Sequence, residues 1–333
     1  MSAEAVDMSA SHLPAEEAPE LTITIPNYNG RALLEVMLPS LQRQTFRSFT
    51  VVIVDDCSAD DSVAYLKAQW PQVRVVEGAE QRGVSTALNT CLAEADSELV
   101  GLFNNDMELD PSCLAELVGE LRRHPEIGSV TPKMLDFTDR TVLDGAGDLL
   151  DWRGGGGRRG HGDPDVGQYA AAEEIFGPCG GAAVYRSSAL DLVGGFDDDY
   201  FAYYEDLDWA FRAQLAGVRC RYVPSAVLYH RGGATLGRGM TDFIGYHTWR
   251  NPIWLIVKCF PAATLARHAP ALLHGQLGNL AAAARAHKLR VWARAMRDAL
   301  GGLPAALRKR RAVQRTRTVS LAQLEQVARA GRR

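Results

Sequence analysis

Features of secreted, zinc-binding and membrane-spanning proteins are missing from this 333-residue sequence. Its six cysteines are widely spaced, with no pair at zinc-ligand or redox-motif spacing, which favours reduced thiols in a cytosolic protein. The first twenty residues hold five acids, no Lys or Arg and no apolar run, so they are not a signal peptide; we expect residues 1–20 to be an acidic, disordered segment. No stretch reaches the roughly 18 uncharged apolar residues of a spanning helix, so no transmembrane segment is expected.

Acidic residues become scarce towards the C-terminus. Of the 36 Lys and Arg in the chain, 17 lie in residues 250–333, but only 2 of the 40 Asp and Glu do. A net charge of −4 therefore hides an acidic body and a basic tail. The imbalance predicts a separate partner for the tail, either an anionic membrane or a nucleic acid.

The tail pattern favours the membrane. An apolar patch that includes Trp249, Trp254, Leu255 and Phe260 precedes Arg-rich helical segments, and basic amphipathic helices lie in membrane interfaces, where each cation adds about 1 kcal/mol. We predict that residues 239–333 form a helical, basic, membrane-interfacial region of a cytoplasmic protein bound peripherally to the inner face of the plasma membrane. The alternative is that these helices pack on the preceding domain. No nucleic-acid partner is expected.

The first part of the sequence alternates apolar β-branched runs with amphipathic stretches. With 47% hydrophobic residues the chain is long enough for a substantial core, which excludes disorder as the main state. The alternation predicts an α/β fold with a largely parallel sheet covered by helices. Strands are predicted at residues 21–25, 49–54, 73–76, 99–103, 182–185, 219–223 and 227–229, and helices at 31–43, 60–70, 85–94, 111–123 and 207–216. The glycine-rich residues 154–160 are predicted to be a mobile surface loop, either a lid or a linker.

Polar residues follow several of the predicted strands. They occur at residues 26–29, 55–60 and 104–106, and an acidic group lies at 205–208. Each alone is typical of a turn or a helix cap. Because ligands of open α/β sheets bind outside the carboxyl ends of the strands, however, the set together predicts a metal-assisted polyol or nucleotide site.

Six of these pieces resemble, in order and spacing, the motifs of family-2 inverting glycosyltransferases, most closely the bacterial rhamnosyltransferase-like branch. The pieces are IPNYNG at 25–30, VDDCSAD at 54–60, RGVSTALN at 82–89, LFNND at 102–106, GGFD at 194–197 and YEDLDW at 204–209. The resemblance spans residues 20–235. It implies a GT-A fold, Rossmann-like and mostly parallel, over residues 21–238, with a donor half at 21–135 and an acceptor half at 136–238.

The resemblance also implies where the donor binds. It would be a nucleoside-diphosphate sugar, and the implied donor-binding residues are Pro26, Tyr28 and Asn29 around the nucleoside, Asp55 at the base, Arg82 and Gly83 near the ribose or diphosphate, and Asn105 and Asp106. The family's Asp-x-Asp motif is Asn104-Asn105-Asp106 here, so Asp106 is its one strong anionic ligand for Mg²⁺ or Mn²⁺. His230 is either a second metal ligand, which would favour Mn²⁺, or a structural residue.

Catalysis by inversion needs one base for the acceptor hydroxyl. The family pattern points to Asp206 as this base, with adjacent Glu205 raising its proton affinity. The aromatic residues Tyr204 and Trp209, together with Gly181 in a glycine-rich segment, are expected to contact the sugars.

The predicted reaction transfers a sugar from a dTDP- or UDP-sugar, rhamnose being one candidate, to a glycan or lipid-linked saccharide of the cell surface. An oxidoreductase is excluded because no G-x-G-x-x-G follows the first strand. A nucleotidyltransferase of related fold, or a non-catalytic membrane-associated scaffold with a GT-A-like fold, remains as the alternative.

Overall fold

The computed structural model describes residues 19–232 and 240–330 of the chain. The predicted disordered segment lies almost wholly outside these residues, and so does the predicted domain boundary near Arg238. The strands are β1 Leu21–Asn27, β2 Phe49–Asp55, β3 Arg74–Glu77, β4 Leu99–Phe103, β5 Met107–Leu109, β6 Ile127–Asp136, β7 Leu143–Gly145, β8 Asp148–Asp151, β9 Gly155–Arg158, β10 Glu173–Ile175, β11 Ala182–Arg186 and β12 Arg219–His230. The helices are α1 Arg31–Gln42, α2 Ser62–Gln69, α3 Val84–Ala93, α4 Cys113–Arg123, α5 Ser187–Val193, α6 Glu205–Ala216, α7 Asp242–Cys259, α8 Ala262–Arg285, α9 Leu289–Arg315 and α10 Leu321–Ala330.

The central sheet has the strand order β10-β12-β6-β11-β4-β1-β2-β3, with β5 and β7 paired at its side. Strands β3, β2, β1 and β4 run parallel, and β12 runs parallel to β6. Strand β11 is antiparallel to both β4 and β6 and so joins the two parts. The α/β fold with a sheet flanked by helices is confirmed.

The strands of the first half form from nearly continuous apolar sequence because helices cover both faces of the sheet. All five residues of LVGLF in β4 are buried, and six of the seven in β2 are. One large core lies under helices α1 and α4, and a second one contacts the opposite face through α3 and α6. This packing fixes the carboxyl ends of β1, β2 and β4 side by side.

Two local predictions are wrong. Residues 155–158 are not a mobile loop but strand β9, which pairs with β8 in an antiparallel hairpin. A Cβ on Gly154 would lie 2.4 Å from Ile256 Cδ1, and one on Gly156 would lie 2.4 Å from Leu207 Cδ2, so glycine lets this hairpin pack closely on its neighbours. The predicted short strands at 219–223 and 227–229 are one strand, β12, interrupted by a bulge between Val223 and Val227.

The C-terminal helices pack on the preceding α/β part of the chain. Trp249, Leu255 and Phe260 are buried, and the last two join a core with Phe176 and Phe211, so the predicted membrane-facing role of this apolar patch is wrong. Trp254 Nε1 donates to the carbonyl of Ala299 on α9. Within the described ranges, no helix has the length and apolar character needed to cross a membrane.

A buried cluster of charged side chains joins α7 to helix α6 and to Asp197. Lys258 Nζ lies 2.7 Å from Asp208 Oδ1 and also pairs with Asp197. Arg212 Nε donates to Asp208 Oδ2 over 2.8 Å. Burial alone would raise the pKa of Asp208, but Lys258 and Arg212 outweigh it and lower that pKa to about 2. Asp208 therefore stays ionised in the core because Lys258 and Arg212 lie next to it.

We expect Lys258→Met to lower the free energy of unfolding by about 3 kcal/mol, because it leaves buried carboxylates without a main partner. Chemical denaturation measures this change. Lys67→Met is the matched control: Lys67 pairs with Glu77 at the surface, and its loss should cost less than about 1 kcal/mol. Equal effects of the two substitutions would show that the cluster does not hold α7 in place.

Candidate active site

Three strand ends form one hydrogen-bonded row at the carboxyl edge of the sheet. Asn27, at the end of β1, donates from Nδ2 to Asp55 Oδ2 on β2 over 2.8 Å. Its Oδ1 accepts from Asn105 Nδ2, just after β4, over 2.8 Å. Asp55 also accepts from the backbone N–H and the hydroxyl of Ser58. The buried amides and carboxylate thus fix Asp55 and Asn105 relative to each other, although sequence reasoning gave Asn27 no role.

The predicted nucleoside residues border this row. Pro26 is partly buried next to Asn27, and Tyr28 is partly buried on the following turn. Asn29 has a left-handed backbone with φ of 48°. Its side chain accepts from the N–H of Ala59, and its own N–H donates to Ser58 Oγ, so the loops after β1 and β2 are tied together.

Arg82 and Gly83 lie on the same edge, before α3. Their backbone N–H groups donate to the carboxylate of Asp56 over 3.0 and 3.2 Å. Gly83 has φ of +87°, and a Cβ there would lie 2.6 Å from the ring of Phe201. Glycine is therefore required both by the backbone and by the close approach of that ring.

Asp106 and His230 are neighbours across β5 and β12. His230 Nε2 lies 3.4 Å from Asp106 Oδ2, and the N–H of Arg231 donates to the carbonyl of Asp106. Asp106 Oδ1 is buried, with no hydrogen-bond partner among the described residues. A buried, unpartnered carboxylate oxygen beside an imidazole suits a divalent cation. Still, residues 19–232 and 240–330 contain no group of three or more His, Cys, Asp or Glu arranged to hold a metal.

His230 also contacts two residues that the sequence did not single out. Its Nδ1 lies 2.7 Å from Asp144 Oδ2, and Arg158 pairs with the same carboxylate. Burial lowers the pKa of His230, but hydrogen bonds to Asp106 and Asp144 outweigh this and raise it to about 9. Arg158 Nη1 lies 3.4 Å from His230 Nδ1, which puts a guanidinium next to the candidate metal residues.

Helix α6 begins with Glu205, which is buried, and Asp206, which is partly buried. Burial, followed by the charge of Asp206, raises the pKa of Glu205 to about 8. Burial also raises the pKa of Asp206, while the N–H of Leu207, which donates to Asp206 Oδ1 over 2.7 Å, and the charge of Arg158 act against it. Glu205 Oε2 has no hydrogen-bond partner in the described part of the chain. The pair is thus a proton acceptor of raised basicity.

The glycine pair Gly180-Gly181 lies between the start of helix α6 and the segment that precedes Asp106. A Cβ on Gly180 would lie 2.4 Å from Asp206 Cβ, and one on Gly181 would lie 2.2 Å from Asn104 Nδ2. The N–H of Asn104 donates to the carbonyl of Gly181. Asp206 and Asn104, two residues before Asp106, therefore lie on either side of one dipeptide without side chains.

The segment before Glu205 is conformationally strained. Phe201, Tyr203 and Tyr204 have φ of 67°, 64° and 75°, a region that non-glycine residues rarely adopt and that costs about 1–3 kcal/mol each. Asn251 on α7 holds this segment: its Nδ2 donates to the carbonyls of Ala202 and Tyr203 over 2.9 and 2.6 Å.

Arg250 of helix α7 also holds the segment before Glu205. Its Nη2 donates to the carbonyl of Tyr200 over 2.9 Å, and its guanidinium lies 4.3 Å from the ring of Trp254. Helix α7 therefore positions the segment that leads to Glu205. The sequence signal for it was an Arg-Asn pair inside an aromatic and aliphatic run, where polar residues need buried partners.

The two predicted sugar-binding aromatics have different positions. Trp209 is only 1% exposed; it packs edge-on against Tyr185, and its Nε1 donates to the carbonyl of Gly194. The predicted contact of Trp209 with a sugar is therefore wrong, because its ring belongs to the core. Tyr204 is partly buried and lines a cavity beside Glu205.

The parallel first half of the sheet, its mixed second half and the flanking helices are the architecture of the GT-A fold. The sequence profile described as Glycosyl transferase family 2 matches residues 22–194, more than half of the chain. The chain belongs to that family, and it is an enzyme of the glycosyltransferase class. The predicted family is confirmed.

Similar proteins agree with this assignment. An N-acetylglucosaminyl-diphospho-decaprenol L-rhamnosyltransferase of Mycobacterium tuberculosis is 28% identical over 258 residues, covering 71% of this chain and 83% of the relative. The O-antigen biosynthesis protein RfbC of Myxococcus xanthus is 28% identical over 67% of this chain, but this covers only 18% of RfbC. The mannosyltransferase PcManGT from Pyrobaculum calidifontis, solved with GDP-Man and Mn²⁺, superposes with a TM-score of 0.54 at 21% identity, covering 94% of this chain and 87% of the other.

Proposed function

We propose that this enzyme transfers a sugar, with inversion, from a nucleoside-diphosphate sugar to a hydroxyl of a lipid-linked saccharide in surface-glycan synthesis. The observation that supports this most strongly is the position of the glycine pair Gly180-Gly181 between Asp206 and Asn104, two residues before Asp106. The name of the mycobacterial relative makes rhamnose a candidate sugar and a lipid-linked saccharide a candidate acceptor. The dTDP- or UDP-linked donor is what the family resemblance implies.

The transfer is a single displacement. An acceptor hydroxyl oxygen forms a bond to the anomeric carbon of the donor sugar, the bond from that carbon to the diphosphate oxygen breaks, and the diphosphate leaves with the electron pair. Asp206 accepts the hydroxyl proton. Its raised pKa suits a base that must hold this proton, and burial, not the charge of Glu205, is the main cause of that raised pKa. No covalent intermediate with the enzyme forms.

Asp106 and His230 are the residues that would hold Mn²⁺ or Mg²⁺. When bound, the cation would neutralise charge on the diphosphate. Because the chain supplies two ligands, the others must come from the donor phosphates and water. Arg158 adds a fixed positive charge next to His230, where its planar fork suits phosphate oxygens.

A screen of nucleotide sugars tests the proposal. We expect one dTDP- or UDP-sugar to raise the melting temperature of the protein in Mn²⁺ and to raise it much less in EDTA. The reason is that the donor and the cation each bind more tightly when the other is bound. NMR of the product should show the anomeric configuration opposite to that of the donor. Retained configuration, or no stabilisation by any nucleotide sugar, would contradict the proposed function.

The pH dependence of transfer tests the acidic pair. Asp206 must be deprotonated to act as a base, so activity should rise with pH through its raised pKa. With a pKa of about 8, Glu205 is still uncharged while Asp206 titrates, so Glu205→Gln should leave the acid limb of the kcat/KM profile in place and remove any further change of activity near pH 8. Glu126→Gln, a change at an exposed carboxylate, should leave the whole profile as it is. An acid limb that moves to lower pH in Glu205→Gln would mean that Glu205 is charged when Asp206 titrates.

Binding to an anionic membrane through the C-terminal region is part of the proposal, and its support is the exposed arginines of α9. Replacing Arg290, Arg308 and Arg311 by Glu should weaken binding to phosphatidylglycerol vesicles roughly 100-fold, since each cation contributes about 1 kcal/mol. The control makes three charge reversals on the catalytic part, at Arg43, Lys67 and Arg74. If both triple variants lose binding equally, the attraction is a matter of net charge alone.

A further inference from the structure

A cavity of about 250 Å³ adjoins the candidate active site. The turn of the β8–β9 hairpin, the residue before Glu205, and helices α7 and α8 enclose it. Its polar lining includes Asp151, Arg153, Tyr204, His274 and Asn279. None of the donor-binding or metal residues described above lies in this lining.

The chemistry of the lining fits one sugar unit. Carboxylate, guanidinium, amide and imidazole groups match sugar hydroxyls, and Tyr204 supplies an aromatic ring. Drug-sized ligands occupy pockets of about 300–1,000 Å³, so this volume suits a smaller group. Burial, followed by the charge of Asp206, raises the pKa of Tyr204 to about 12, so the cavity and the candidate base are electrostatic neighbours.

Glycines of α8 keep the cavity open. A Cβ on Gly275 would lie 2.3 Å from the carbonyl oxygen of Arg153, so packing of the hairpin explains that glycine. Gly278 also lines the cavity, but no described atom lies within 4 Å of its Cβ position. A glycine inside a helix is unfavourable relative to alanine. Packing therefore does not explain Gly278, and a side chain at this position would enter the cavity.

An apolar row on α8 leads away from the cavity. Leu273 and Leu277 are 62% and 56% exposed, and each directly precedes a cavity residue, His274 and Gly278 respectively. Between Arg267 and Arg285 the helix has no Asp, Glu, Lys or Arg. An apolar chain can lie on this face while a polar group at its end enters the cavity.

We propose that the cavity binds the sugar of a lipid-linked saccharide acceptor and that Leu273 and Leu277 contact its lipid. The inference rests on the proposed function and locates its acceptor site. The apolar row adjacent to polar lining distinguishes this acceptor from a soluble glycan, which would make no use of exposed leucines. The acceptor hydroxyl then reaches Asp206 past Tyr204.

Filling the cavity tests the sugar site. Gly278→Leu places a side chain where the structure has open space, and Gly301→Leu does the same on α9 outside the cavity. The probes are dTDP-rhamnose as donor and N-acetylglucosaminyl-diphospho-farnesol as acceptor, in detergent without vesicles. We expect Gly278→Leu to raise the acceptor KM at least tenfold, with donor hydrolysis by water and melting temperature at least as high as in the wild type. Gly301→Leu should match the wild type in all three.

A separate pair of substitutions tests the contact with the lipid. Leu273→Ser with Leu277→Ser should raise the KM for the farnesyl probe and leave that for methyl N-acetylglucosaminide unchanged, while Leu300→Ser with Leu307→Ser on α9 should change neither. An unchanged acceptor KM in Gly278→Leu would overturn the cavity assignment, and so would a wild-type enzyme that hydrolyses donor but never glycosylates the farnesyl probe. A wild-type enzyme that binds and hydrolyses no nucleotide sugar would instead refute the proposed function itself.

Discussion

Asp206→Asn should lower the rate of sugar transfer by roughly 10²- to 10⁴-fold, the usual contribution of a general base. The substitution keeps the size of the side chain and one oxygen that can accept from the N–H of Leu207. It removes only the ability to take a proton. Donor affinity in Mn²⁺ should therefore stay within a few-fold of the wild type, measured by isothermal titration calorimetry next to a transfer assay.

Asp191→Asn, at an exposed carboxylate on α5, is the control and should have wild-type activity. Two outcomes would contradict the base assignment of Asp206. Retained turnover in Asp206→Asn would show that another group takes the proton. Loss of donor affinity equal to the loss of turnover would place Asp206 in the donor site instead.

Asp106→Asn should reduce Mn²⁺-dependent donor affinity by roughly 100-fold or more, because a carboxylate held against a divalent cation is worth several kcal/mol. Asp106 is the candidate metal-binding carboxylate, its Oδ1 is buried without a hydrogen-bond partner among the described residues, and Asn replaces its charge with an amide of the same shape. Calorimetry with and without EDTA separates the metal-dependent part. Donor binding in EDTA should be equal in the variant and the wild type.

Asp163→Asn provides the control at an exposed aspartate of the second half. If Asp106→Asn keeps full Mn²⁺-dependent affinity, then Asp106 does not hold the cation. If it loses affinity in EDTA as well, the residue supports the donor pocket and not a metal.

The first half of the fold was predictable because its signals are local. Strands β1, β2 and β4 are apolar runs bounded by turn residues, and helices α1 and α4 show the 3.6-residue period, so these elements follow from a few neighbouring residues. The row of Asn27, Asp55 and Asn105 follows in turn, since parallel strands end at one edge.

Positions set by distant contacts were not predictable in this way. Strand β9 is made of glycines that favour a loop locally, and it forms because β8 and the C-terminal helices pack around it. Arg158, at the end of that strand, reaches Asp144 and His230 only through this pairing. Trp209 sits in an acidic, aromatic stretch that suggests a sugar site, yet the helical period turns its ring into the core.

The packing of the C-terminal region also depends on distant contacts and was not predictable from its composition. That composition favours a membrane-interfacial helix, and several arginines of α9 are exposed, but Arg250, Asn251 and Lys258 of α7 contact buried partners in the preceding part of the chain. The pattern of charges along a sequence does not distinguish a solvent-exposed helix face from a buried ion cluster. The glycine pair at 180–181 is similar: small residues alone suggest a turn, and only the fold puts Asp206 and Asn104 on either side of it.

The most direct measurement is a crystal structure with Mn²⁺ and a non-hydrolysable analogue of the donor that stabilises the protein. Anomalous scattering should place Mn²⁺ on Asp106 and the diphosphate, with the anomeric carbon of the bound sugar facing Asp206. Manganese on any other residues, or a sugar turned away from Asp206, would contradict the claim that these two carboxylates serve one substrate.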